Sequence, residues 1–155
     1  MTHEELLRHA VRLAVRNVAQ GGGPFGAVVA REGEIVAEGV NRVTATHDPT
    51  AHAEVRAIRE AARKLGTFNL SGCTIYSSCE PCPMCLGAVY WARLDRLYYA
   101  AGKDDAARAG FDDAFIYREL ALAPVSRSLP TEALPLPEAQ AAFEAWAARA
   151  DKTVY

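Results

Sequence analysis

The chain has 155 residues, half of them hydrophobic and 23 % charged, with a formal net charge of −2. Those values describe one globular domain able to bury about two-thirds of its unfolded surface without disulfide staples, and they exclude an intrinsically disordered chain. Residues 1–77 carry 9 basic and 8 acidic groups and residues 78–155 carry 8 and 11, so no basic arm marks a nucleic-acid binder.

Residues 3–20 place Leu6, Leu7, Ala10, Val11, Ala14 and Val18 at helical spacing, and Gly21, Gly22, Gly23 and Pro24 stop that helix. Two β-branched runs, 25–30 and 35–43, flank Arg31-Glu32-Gly33-Glu34 and read as a hairpin. Asp48-Pro49 offers an N-cap and a first-turn proline for a helix to about Leu65, closed by Gly66. A buried strand follows at 73–78, a helix at 81–92, a strand at 96–101 and a loop-helix region at 104–122. Pro124, Pro130, Pro135 and Pro137 then make a stiff, extended connector. It leads to a last helix over 137–150 with Ala139, Ala142, Phe143, Trp146 and Ala150 on one stripe. The order predicts a central mixed sheet covered by helices on both faces.

The first 20 residues carry Glu4, Glu5, Arg8, Arg12 and Arg16, so no apolar signal core is expected. The longest uncharged apolar run, 81–92, is too short for a bilayer span. A cytoplasmic protein without a membrane partner is the expectation. Clustered cysteines in such a chain point to metal or redox chemistry.

Two segments carry that chemistry: Thr50-Ala51-His52-Ala53-Glu54 and Cys79-Glu80-Pro81-Cys82-Pro83-Met84-Cys85. One imidazole and two thiolates bind Zn²⁺ tightly and leave a fourth position open. Cys82 and Cys85, three apart in a first helical turn, share a face. Helix N-termini aimed at the metal keep such thiolates deprotonated. Glu54, two residues after His52, is rotated about 200° around a helix. The two converge only at the helix start, where the glutamate is placed to move protons and not to ligate. The plainer readings are a redox C-x-x-C pair and a structural site with Cys79 as fourth ligand, neither of which employs Glu54. Cys73 has only a core reading.

H-x-E followed by P-C-x-x-C resembles the signature of the zinc-dependent cytidine-deaminase superfamily. The resemblance is strongest to bacterial guanine deaminases and runs over nearly the whole chain. It is carried by GGPFGAVV (22–29), DPTAHAEV (48–55), SCEPCPMCLGA (78–88), YWAR (90–93), AGFDDAFIY (109–117) and the terminal Tyr155. It implies a three-layer α/β/α sandwich with a five-stranded mixed sheet. It also implies one Zn²⁺ per subunit on His52, Cys82 and Cys85, holding a water whose proton Glu54 takes. Glu54 then protonates N3 and the leaving amine of guanine, giving xanthine and ammonia. Asn41, Phe25, Ala53, Trp91, Asp113 and Tyr155 become the base-binding residues. Asn41 has a plainer reading as a turn residue, Phe25 and Trp91 as core aromatics, and Asp112 as a solvated acid. The family further implies a homodimer of single 1–155 domains in which the 124–155 segment is exchanged, so that Tyr155 covers the partner's site.

The rival enzymes are a tRNA adenosine deaminase and a deaminase of cytosine, a nucleoside or a triazine. The first should carry clustered basic residues, whereas the last helical region offers Arg149 and Lys152 against Glu138, Glu144 and Asp151. A zinc-stabilised binding module is the non-enzyme alternative.

Overall fold

A computed structural model describes residues 1–155, which divide into two compact units, Met1–Tyr117 and Arg118–Tyr155. The first unit opens with α1 (His3–Ala19), whose Thr2 and Glu5 form a reciprocal capping box. A hairpin of β1 (Gly26–Arg31) and β2 (Glu34–Val40) follows. Its two-residue turn, Glu32-Gly33, has both φ angles positive, as the right-handed twist of paired strands prefers. Then come α2 (Val43–Thr46), α3 (Ala53–Leu65), β3 (Cys73–Cys79), α4 (Pro83–Trp91), β4 (Arg96–Ala101), α5 (Lys103–Arg108) and α6 (Ala114–Leu120).

The sheet order is β2-β1-β3-β4, with β1 antiparallel to both neighbours and β4 parallel to β3. Strand alternation serves two cores. Ala27 and Val29 of β1 join Ala53, Ala57 and Ala61 of α3 and Val89 of α4 on one face. Val28 and Ala30 join Leu6, Ala10 and Leu13 of α1 on the other. The three layers are therefore present, but the sheet has four strands and not the expected five. Past β4 the backbone contains only helices and irregular chain, and four of its residues are prolines that cannot donate to a ladder.

Three boundaries differ from the sequence reading. The second strand ends at Val40, and residues 43–46 form the short α2. Asp48 does not start α3. Its carboxylate instead accepts from the Thr50 amide (2.8 Å) and hydroxyl (2.7 Å), closing a local turn. The helix begins at Ala53 with His52 as N-cap and ends at Gly66, whose φ is +65°. Likewise α4 begins at Pro83, with Cys82 as N-cap.

In the second unit, the end of α6 leads to a 3₁₀ turn (Pro124–Ser126) and then α7 (Ala139–Ala148). Glu119 anchors this stretch, accepting from Arg127 Nε (3.2 Å) through its carbonyl and from the Ser128 amide (2.8 Å) through its carboxylate. No helix of the chain is long and apolar enough to cross a membrane.

Candidate active site

The β3–α4–β4 crossover places the N-terminus of α4 beyond the carboxyl end of β3, where α/β sheets ordinarily bind ligands. Helix α3 brings its own N-terminus to the same place. His52 and Cys82, the two N-caps, have extended backbones with ψ of 153° and 169°. His52 Nδ1 lies 3.5 Å from Cys82 Sγ and 3.4 Å from Cys85 Sγ, and the three atoms all fall within 4.8 Å of one another. A tetrahedral zinc ion, with bonds of about 2.3 Å to sulfur and 2.0–2.1 Å to nitrogen, holds such atoms about 3.5 Å apart. The trio therefore fits that ion in spacing and in donor chemistry.

The Cys82 thiol is drawn well below its ordinary range, chiefly by a hydrogen bond from Cys85 and also by His52. Cys85 is pushed the other way by that shared bond and by burial. Cys79 behaves differently. Burial pushes its thiol up to about 11, and its sulfur faces the Gly102 carbonyl at 3.6 Å. Its sulfur is not among the gathered ligand atoms, so the structure brings three donors together and not four. Cys73 is fully buried in the core.

Glu54, in the first turn of α3, is 5 % exposed. Burial raises its carboxyl pKa, opposed by the Ser77 hydroxyl, which donates to Oε1 at 2.7 Å. His52, Glu54 and Cys82 line one cavity of about 660 Å³ together with Phe25, Asn41, Phe111 and Asp113. That size suits a small heterocycle. Phe25 and Phe111 meet edge to face (5.0 Å between centroids, 85°) and form an apolar wall. Asn41 Oδ1 accepts from the Val43 amide at 3.2 Å. Asp113 is raised in pKa, first by burial and then by the nearby Cys82 charge. Its Oδ1 is buried without a hydrogen-bond partner, an acceptor aimed at nothing the protein itself supplies.

The structure does not gather every expected residue. Trp91 ends α4 with 62 % of its surface exposed and does not line the cavity. Ala53 is buried in the first turn of α3, whose leading N–H groups have no intrahelical acceptor. Tyr155 ends the second unit. Asp112 is exposed and bonds the Phe115 amide at 3.4 Å, as a helix-start residue does.

Sequence reading also missed several participants. Ser77 is a hydroxyl inside a buried strand, and that polarity was its signal. Glu80 faces the cavity and accepts from the Lys103 amide at 3.1 Å. Tyr117 donates to the Pro81 carbonyl at 2.7 Å, bracing the turn before Cys82. No local pattern announces either contact.

Residues 1–101 match the family model described as the cytidine and deoxycytidylate deaminase zinc-binding region. The chain is 53 % identical over 156 residues to the guanine deaminase of Bacillus subtilis, covering all of both chains. The X-ray structure of a Bacillus subtilis guanine deaminase superposes with a TM-score of 0.97 at 52 % identity, covering 100 % of this chain and 99 % of that one. A tRNA-specific adenosine deaminase of Aquifex aeolicus is 43 % identical over 101 residues, 65 % of this chain and 67 % of its own. The similarity to the tRNA enzyme covers 65 % of this chain, whereas that to the guanine deaminase runs from end to end. The chain thus belongs to the cytidine and deoxycytidylate deaminase zinc-binding family and, within it, to the guanine deaminases.

Proposed function

We infer that the chain hydrolyses guanine to xanthine and ammonia, with zinc on His52, Cys82 and Cys85. The observation that carries this reading is the single cavity shared by the metal trio, the buried Glu54 and the unpartnered acceptor of Asp113. Bound zinc supplies Lewis acidity that brings the pKa of a water towards about 7. Glu54 would take one proton from the water as its oxygen attacks C2 of the base and pass it to N3, then take the second from the resulting C2 hydroxyl and pass it to the departing amine. A C–O bond forms, the exocyclic C–N bond breaks, and water plus guanine become xanthine plus ammonia. Burial keeps Glu54 avid for the proton, and the Ser77 bond keeps it able to release one, as a group serving as base and then acid requires. Asp113 accepts from guanine N–H groups. A base lacking those donors leaves its Oδ1 unpaired, which a buried site rejects strongly. Asn41 holds the other edge of the ring, Phe25 packs on its face, and the Ala53 end of α3 contributes backbone N–H groups.

The working unit is a cytoplasmic homodimer with one zinc per subunit. A reducing compartment suits a site that needs free thiols. In this dimer the 124–155 segment is exchanged, with Tyr155 over the partner's base. The support is the apolar surface that segment shows: Phe143 is 70 % and Trp146 40 % exposed.

The deciding experiment measures ammonia release from guanine, guanosine, adenine, cytosine, cytidine and an anticodon stem-loop side by side. Guanine is expected to react fastest. An inert guanine with a reactive stem-loop overturns the reading. Glu54→Ala is expected to retain zinc and release no ammonia; unchanged function in that variant would make the chain a binding module.

A further inference from the structure

Asn17 is the one polar residue on the buried stripe of α1, in line with Leu6, Ala10, Leu13 and Ala14, and it is 3 % exposed. Its carboxamide nitrogen donates both protons, to the Gly23 carbonyl at 2.8 Å and the Asn41 carbonyl at 2.9 Å. Those acceptors lie on two separate segments, the glycine loop after α1 and the first residue past β2. Gly22, Gly23 and Asn41 line the cavity, and Asn17 does not. The parts interlock. A Cβ on Gly22 would stand 2.4 Å from Asn17 Nδ2, and one on Gly23 would stand 3.1 Å from Asn41 Cγ. With Oδ1 of Asn41 taken by the Val43 amide, this asparagine is fixed at its backbone by Asn17 and at its side chain by α2, leaving its amide N–H₂ for a ligand.

We propose that Asn17 is a positioning residue for the base pocket. It sets the Asn41 carboxamide at the separation from the glycine edge that a flat purine needs, without touching the base. A hydrophobic residue at this point of the stripe would leave the Gly23 and Asn41 carbonyls without their donor. The role rests on the reading of Asn41 as a base contact. It predicts an effect on binding and not on chemistry, because Glu54 and the zinc trio sit on α3 and α4, to which Asn17 donates no hydrogen bond.

The test uses the zinc-loaded, full-length enzyme. Asn17→Asp keeps the shape and removes the donors. Gly22→Ala leaves α1 intact and drives the Asn17 carboxamide from its place. Each is expected to raise KM for guanine about tenfold, the size of one lost hydrogen bond, with kcat held within about twofold. In an Asn41→Ala background, each is expected to add less than about twofold, since the group being positioned is gone. An unchanged KM, or a loss of equal size in both backgrounds, overturns the positioning role and leaves Asn41 in the pocket. A KM unmoved by Asn41→Ala alone instead removes Asn41 from the base site, and the role of Asn17 with it. Should Asn17→Asp fail to fold, Gly22→Ala carries the comparison by itself.

Discussion

In the proposed reaction Glu54 must be a carboxylate when water attacks and a carboxylic acid when ammonia leaves. Its surroundings push in opposite directions, burial raising its pKa and the Ser77 hydroxyl lowering it. Removing that hydroxyl with Ser77→Ala leaves burial unopposed, so the carboxyl holds its proton to higher pH. The acid limb of the kcat/KM profile for guanine is then expected to move to higher pH, and the rate on that limb to fall about tenfold, the worth of a hydrogen bond to a charged group. A profile superimposable on the wild type would show that Ser77 does not tune the proton carrier. The contrast between Glu54 and Ser77 also shows which residues a sequence reveals. Zinc accepts few donor types, and Cys82 and Cys85 are local neighbours, so spacing alone marks them. Ser77 matters only because β3 runs beneath α3, a relation set by packing between segments 23 residues apart.

At the scale of elements, the site depends on how closely α3 approaches β2. The helix presents Ala53, Ala57 and Ala61, all fully buried, and the strand answers with Gly39. A Cβ there would lie 2.1 Å from the Ala53 carbonyl oxygen and 2.6 Å from the Ala57 nitrogen. Gly39→Ala must push the first turn of α3, and with it His52 and Glu54, off the sheet. Overpacking of this kind costs about 1–3 kcal/mol, which in a chain of this length lowers Tm by about 3–10 °C. Zinc retention against a chelator is expected to fall with it, because one of three ligands moves. A variant with wild-type Tm and zinc content would show that the approach is not tight. The element itself was legible, since its apolar period and Gly66 stop are strong signals. Its start was not, because Asp48-Pro49 is equally good turn chemistry and the chain uses it that way. A start at Ala53 suits the proposed site, since His52 as N-cap lies just outside the helix beside Cys82 and Cys85 while Glu54 lies in the first turn.

At the scale of the molecule, four strands and flanking helices complete the first unit, and the second remains to be accounted for. After Arg127 every residue of the chain is exposed. A helix as short as the ten residues of α7 is marginal in water on its own, yet it carries Phe143 and Trp146. Such a segment gains its stability from an apolar surface elsewhere, and in the proposed dimer that surface belongs to the other copy. Composition along the chain revealed the prolines and the stripe, but a single sequence holds no record of which copy a segment packs on. Mixing two inactive variants separates the possibilities. Glu54→Ala keeps the tail and lacks the proton carrier, while deletion of residues 151–155 keeps the carrier and lacks Tyr155. Each is expected to bind zinc and to turn over guanine poorly. After subunit exchange at equal amounts, a swapped dimer joins the intact Glu54 of one chain to the intact tail of the other. About a quarter of the wild-type rate per chain is then expected to return, since half the dimers are mixed and each has one complete site. If each tail served its own subunit, the mixed dimers would contain no complete site and the mixture would stay inactive. Full activity in the deletion variant by itself would remove Tyr155 from the reaction.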